Sequence, residues 1–280
     1  MPEVLRKINK KYLISGGLFL IAVLVFVLAL SPRETLPPAA EPMPIQPELT
    51  GYYGSEDFML DENGFMVYLA GKYSTGIDVS GYQGEIDWQK VKKAGIEFVF
   101  IKVGSRGTTE GGLYPDSFSQ SYYEGAKAAG LQVGAYFFSQ AVTPEEAEEE
   151  ARFALEQIAG WELDLNIVYD WEWGGEDSRT TGLDKDTLTQ CAAAFCRIME
   201  DAGLEPMLYF NESQGLEQMD LMQLQEYPFW LALYDGAMDF PHPIAYWQYS
   251  RTGRVDGIEG DVDLNICLIQ DPEPAPEETE

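Results

Sequence analysis

The feature that most constrains this chain is an alternation of two kinds of segment from Thr75 to Leu268. GIDVS is followed by WQKVKKAG, EFVFIKVG by SFSQSYYEGAKAAG, LQVGAYFFS by TPEEAEEEARFALEQI, and LNIVYDWE by DKDTLTQCAAAFCRIMEDAG. PMLYF comes next, and from there the helical periodicity fades, while FWLALY and IAYWQYS still read as strands. Short, continuously apolar strands separated by amphipathic helices belong in a parallel sheet covered on both faces. Eight strand-like segments in this length predict an α/β fold of the TIM type: a (β/α) barrel of about five β/α units plus three further strands that have lost their helices. The helix starts carry proper signals. Thr143-Pro144-Glu145-Glu146 supplies an N-cap, a proline at the first helical position and acids in the first turn.

The rest of the chain divides around this unit, 74–268. Residues 12–30 read YLISGGLFLIAVLVFVLAL without a charge. At about 1.5 Å per residue they span roughly the 30 Å hydrocarbon core of a bilayer. Arg6, Lys7, Lys10 and Lys11 precede them in the basic segment 1–11. The positive-inside rule then puts the N-terminus in the cytoplasm and the remainder outside, as a single-pass cell-membrane protein. A cleaved signal ending near Val27 and Ala29 is the competing reading, which would make the protein secreted. The apolar run is long for that purpose, so an uncleaved transmembrane anchor is expected. Residues 31–50 are Pro-rich and read as an extended linker, and 269–280 as an acidic, disordered tail. In 51–73, two apolar runs flank Asn63-Gly64, which predicts an add-on hairpin.

Charge and residue counts exclude several function classes. The formal net charge of −29 argues against nucleic acid, because a phosphate backbone needs a basic face. Three cysteines, Cys191, Cys196 and Cys267, have no zinc-site spacing and read as buried thiols. A Ser-His-Asp triad or histidine metal site would rest on the single histidine, His242, inside Pro-His-Pro, where a loop residue without a role is expected. The chain holds 16 Tyr, 14 Phe and 6 Trp. Core packing accounts for most of them, but sugar clefts also use exposed aromatic faces.

The acids point to the chemistry. Asp78 lies in GIDVS, Asp170 and Glu172 at the end of NIVYDWEW, and Asp263 in GDVDLN. An acid in an apolar strand is costly to bury, and the C-terminal strand ends of a barrel face its active site. Strand alternation puts Asp170 and Glu172 on one face. Two such carboxylates cannot both ionise freely, so one becomes a proton donor beside a retained negative charge. Glycoside hydrolysis uses that pairing. A carboxylate-bound Mg²⁺ or Ca²⁺ is a second reading of the same cluster, and a non-catalytic glycan-binding barrel a third.

GIDVSGYQGEIDW, GAYFFS, IVYDWE and WQYSRTGRVDGIEGDVDLN occur in this order, and together they resemble glycoside hydrolase family 25, the Chalaropsis-type lysozymes. The resemblance covers roughly 74–268. It implies an N-acetylmuramidase that needs no cofactor and no metal and acts on peptidoglycan glycan strands. By that resemblance Glu172 is the general acid/base, and Asp170 orients the substrate's N-acetyl group. Asp78 and Asp263 match the family's first and last acids. Tyr136, Tyr209 and Trp247 fall where the family lines its sugar groove, with Gln83 and Lys102 as polar contributors; Lys102 equally suits an ion pair with a catalytic acid. Trp88, Trp161 and Trp230 are assigned to core packing. Many family members carry Tyr-His-Phe where this chain has Tyr136-Phe137-Phe138, and alternation points position 137 out of the barrel. A monomer is expected.

Overall fold

The computed structural model describes residues 53–234 and 238–269. The segments 1–11, 12–30 and 31–50 and the tail beyond 269 lie outside the described residues, and among the described residues no helix is long and apolar enough to cross a membrane. Two short strands, β1 (Phe58–Leu60) and β2 (Met66–Tyr68), pair antiparallel as a hairpin. Gly64 takes φ +84° in its turn, and the Asp61 carboxylate accepts from the backbone N–H groups of Asn63 and Phe65, each at 2.8 Å.

The chain then builds a closed barrel of eight strands. β3 (Lys72–Val79) leads through α1 (Trp88–Lys93) to β4 (Phe98–Arg106), whose overhanging end pairs with the short β5 (Leu113–Pro115). Next come α2 (Ser119–Ala128), β6 (Gln132–Ser139), α3 (Pro144–Gln157), β7 (Ile167–Trp171), α4 (Lys185–Asp201) and β8 (Pro206–Asn211). After β8 a single π-helical turn, Gln214–Gln218, stands in place of a helix. β9 (Phe229–Ala232), β10 (Tyr246–Gly253) and β11 (Val262–Ile269) follow without helices. Neighbours pair in parallel from β3 to β10, and β11 closes the barrel antiparallel between β10 and β3. Side chains cap three helix starts: Asp87 accepts from Lys90 N, Thr143 from Glu146 N and Asp184 from Thr187 N.

Two apolar clusters hold the fold. The outer one packs alternate strand residues such as Ile77, Val99, Phe137 and Leu231 against helix residues such as Ala151 and Phe195. The inner one fills the barrel with Phe98, Phe100, Tyr209, Trp230 and Tyr246; Phe100 stacks on Trp230 with ring centroids 4.6 Å apart. Glycines make room for these rings. A Cβ on Gly76 would strike the Phe98 ring, and one on Gly134 the Phe100 ring. Where β10 lacks a helix, the hairpin covers it: Phe58 meets Trp247 edge-on at 5.0 Å, Tyr53 Oη donates to Ile244 O, and Tyr249 Oη accepts from Met66 N.

Two core assignments need adjustment, and the outward placement of position 137 holds. Cys191 and Cys196 are buried, but Cys267 is only half-buried, close to the end of β11, opposite Tyr246 and Ser74. Trp88 and Trp230 are core residues, whereas Trp161 is half-buried, stacked on Tyr123 at 4.4 Å with its indole N–H donating to Gln120. Phe137 points outward and is fully buried between Phe153 and Phe195.

Candidate active site

The inner row of each strand decides what the barrel mouth presents. Above the aromatic plug, β3 contributes Asp78, β4 Lys102, β6 Tyr136 and Phe138, β7 Asp170, β8 Tyr209, β10 Gln248, and β11 Asp263 and Asn265. Asp78 and Asp263 sit directly opposite each other across β3 and β11, which places their Cβ atoms about 5 Å apart. Asp170 lies between Phe138 and Tyr209. Glu172 is one residue beyond β7, close enough for its charge to act on the Asp170 carboxyl. The four acids thus share the C-terminal mouth.

Asp78 is fixed by amides. Its Oδ2 accepts from Gln248 Nε2 at 2.8 Å and Asn265 Nδ2 at 2.7 Å. Asn265 in turn accepts from the Trp230 indole at 2.8 Å, and Gln248 Oε1 accepts from Tyr209 Oη at 2.8 Å and Tyr234 Oη at 2.6 Å. One network therefore joins strands β3, β8, β9, β10 and β11 beneath the mouth. Asp170 differs: its Oδ1 is buried and has no hydrogen-bond partner among the described residues.

The electrostatics favour retained protons. Burial first, then the opposing Asp263 charge, pushes the Asp78 carboxyl well above the usual carboxylate range, against the pull of its amide donors. Burial and then Glu172 push Asp170 up, with Lys102 opposing. Burial raises Glu172, and Lys102 again opposes. Asp263 is pushed up to about 6 by burial and by Glu172, with Arg251 opposing. Crowded acids with few cations titrate as a group and hold a proton at a pH where isolated carboxyls have lost theirs.

The remaining expected site residues divide. Tyr136 and Tyr209 face the interior, and both flank the Trp230 ring. Lys102 projects over the Phe138 ring, Nζ 4.9 Å from its centroid, and makes no direct ion pair among the described residues. Trp247 does not line the groove. It faces outward under the hairpin, its indole donating to Leu233 O at 2.8 Å, because its neighbours Tyr246 and Gln248 take the inner positions of β10. Gln83 spends its amide on the turn after β3: Oε1 accepts from Ser80 N at 2.9 Å, and Nε2 reaches Asp261 O at 3.4 Å. The sequence places Trp171 and Trp173 on either side of Glu172, where an apolar ring around that acid would be expected, and they do not form one. Trp171 is buried on the outer face, and Trp173 is 56% exposed. His242 lies in a loop against Phe229 and Phe240.

Sequence reading missed Gln248 and Asn265, although the period of two from Asp263 points to Asn265. It also missed two exposed aromatics that follow C-terminal strand ends, Tyr82 after β3 and Tyr234 after β9. Among the described residues no three Asp, Glu, Cys or His side chains are arranged to hold a metal ion.

Comparison with known proteins gives a consistent result. The family model described as "Glycosyl hydrolases family 25" matches residues 77–258. The autolytic lysozyme of Clostridium acetobutylicum is 31% identical over 191 residues, covering 68% of this chain and 54% of that protein. Lysozyme M1 of Streptomyces globisporus is 32% identical over 203 residues, covering 68% of this chain and 66% of that protein. The chain thus spans between half and two thirds of these relatives' lengths. The crystal structure of the bacterial lysozyme from Streptomyces coelicolor superposes with a TM-score of 0.58 at 29% identity, covering 70% of this chain and 91% of that one.

Proposed function

The chain belongs to glycosyl hydrolases family 25, and on that premise we propose that it is a peptidoglycan hydrolase cleaving the β-1,4 bond between N-acetylmuramic acid and N-acetylglucosamine. The observation that carries the mechanism is the buried, unpartnered Oδ1 of Asp170 beside Glu172. A buried acceptor without a donor is costly, and the N–H of a substrate acetamido group supplies that donor. Asp170 then holds the acetamido group so that its carbonyl oxygen attacks the anomeric carbon. Glu172, whose hold on its proton burial strengthens against the pull of Lys102, gives that proton to the departing glycosidic oxygen. Its carboxylate afterwards takes a proton from the water that opens the cyclic intermediate. Configuration is retained without a glycosyl-enzyme bond, one of the known exceptions to the two-carboxylate scheme.

Asp263, once its proton leaves above about pH 6, supplies negative potential toward the developing positive charge, and the amide network keeps Asp78 in place beside it. Tyr136 and Tyr209 form the floor, while exposed Tyr82, Trp173 and Tyr234 offer faces for pyranose rings at the rim. Lys102 tempers the proton affinity of both catalytic acids. We further propose that the protein acts as a monomer outside the cytoplasmic membrane, tethered through 12–30. Protease added to intact cells should then digest the barrel, and a protected barrel would reject that orientation.

The mechanism is tested by muropeptide release from purified peptidoglycan. Glu172→Gln should lower turnover by at least ~10²-fold while glycan binding persists, since the amide keeps the shape but cannot donate as an acid. Mass spectrometry of the products should find N-acetylmuramic acid at the reducing end. Near-wild-type release by Glu172→Gln would remove Glu172 from its role, and a different reducing-end sugar would reject the bond assignment.

A further inference from the structure

Glu172 occupies an awkward place in the backbone. The β6–β7 ladder ends at the Ser139–Trp171 pair, and the β7–β8 ladder ends at Asp170–Tyr209. Glu172 therefore lies past the last rung on both sides, just before the paired glycines Gly174 and Gly175. A carboxyl that must meet a glycosidic oxygen within hydrogen-bonding distance cannot tolerate a loose backbone.

One side chain takes the place of the missing rung. Gln140, the residue after β6, is fully buried. Its Nε2 donates both to Ser139 O at 2.8 Å and to Glu172 O at 2.6 Å, tying the two strand ends together. Its Oε1 accepts from Thr180 Oγ1 at 3.3 Å, which fixes which way the amide faces. Gln140 is itself held at both backbone groups. Its N–H donates to Glu150 Oε1 at 3.2 Å, and its carbonyl accepts from Arg179 Nη1 at 3.0 Å.

Those two partners belong to a charged cluster outside the barrel. Glu150, fully buried, accepts from Arg106 Nε at 2.7 Å and from Ser139 Oγ at 2.6 Å. Arg179 pairs with both oxygens of Glu146, at 2.9 and 2.7 Å. A buried ion pair is weak support for stability in general. Here its geometric effect is specific, because it clamps the residue that clamps Glu172.

We infer that Gln140 is a positioning residue for the reaction: its side-chain amide extends the β6–β7 ladder by one rung and so sets the place of the Glu172 carboxyl. The inference rests on the role of Glu172 proposed above. Gln140 touches no substrate and acts only through the Glu172 backbone.

The test separates proton donation from everything else by the leaving group. A glycan strand needs its leaving oxygen protonated, whereas an N-acetylated aryl glycoside with a nitrophenol leaving group departs without an acid. The full chain carrying Gln140→Met, which keeps length but cannot donate, should lose about 10-fold in kcat on peptide-free glycan strands with KM within about twofold. On the aryl glycoside its kcat/KM, which reports nitrophenol departure and not the later water step in which Glu172 acts as base, should stay within about twofold of wild type. Gln140→Glu, nearly the same shape, should show the same split. Glu172→Gln, run alongside, should show it more strongly. Equal losses on both substrates, or no loss on glycan, would overturn the role of Gln140 while leaving that of Glu172 intact. Full glycan activity in Glu172→Gln would instead sink the underlying mechanism, and the inference with it. If neither Gln140 variant folds with wild-type cooperativity, Gln140 serves stability alone and the proposal is overturned.

Discussion

Lys102 is the cation that opposes proton retention at both Asp170 and Glu172, so its removal should move the pH profile in a defined direction. The strand register sets the scale. Lys102 pairs with Tyr136 on β6, and Asp170 pairs with Phe138 on the same strand, so the two lie two strands and two residues apart. With strands about 4.8 Å apart and a rise of about 3.3 Å, their Cα atoms are roughly 12 Å apart. The lysine stem crosses about half of that, which leaves the charges on the order of 7 Å apart. At an effective dielectric constant of about 20, the attraction is ~2.4 kcal/mol, or one to two pH units at ~1.4 kcal/mol per unit. Lys102→Met keeps the stem over Phe138 and removes the charge. Loss of a cation favours the neutral acids, so both catalytic carboxyls should hold their protons to higher pH. The kcat/KM profile on glycan strands, which reports the free enzyme, should therefore shift upward as a whole, its alkaline limb included. An alkaline limb that stays in place or moves to lower pH would refute the electrostatic argument and with it the assignment of Glu172 as the protonated donor.

Three further outcomes follow from the geometry. Trp247→Ala should lower stability by about 3–5 kcal/mol, because it removes a buried indole from beneath the hairpin; the kcat of the folded protein should hardly change, and a large loss of kcat would return Trp247 to the groove. Asp263 has its carboxyl pushed up from 3.8 to about 6, so the folded state binds its proton more tightly than the unfolded chain does. Its contribution is fully present below the unfolded value and is lost as pH rises through about 6, by at most about 3 kcal/mol; thermal melts across that range should show a smaller fall for Asp263→Asn, and an unchanged slope would contradict the shift. Gly76→Ala should destabilise the barrel by about 1–3 kcal/mol by driving a methyl group into the Phe98 ring, and an unchanged denaturation midpoint would show that the inner wall has slack there.

The sequence alone determines the strand–helix alternation, since each apolar run and each helix start is a local signal. It also determines that Asp170 and Glu172 share a face, because the two-residue period of a strand needs no tertiary information. What it leaves open is which face. Barrel strands are buried on both sides, so both rows are apolar and the alternation that would label them is erased. This is why Trp247 and Gln248 could not be told apart from the sequence, and why Trp247 turned out to lie under the hairpin while Gln248 reaches Asp78. The convergence of Gln248 and Asn265 on Asp78 joins residues 170 and 187 positions away in the chain. No local spacing encodes such a contact; closure of β11 between β10 and β3 creates it. The tie from Gln140 to Glu172 has the same origin. It exists only because β6 and β7 lie side by side and both end at the mouth, where the ladder stops and a side chain has to continue it.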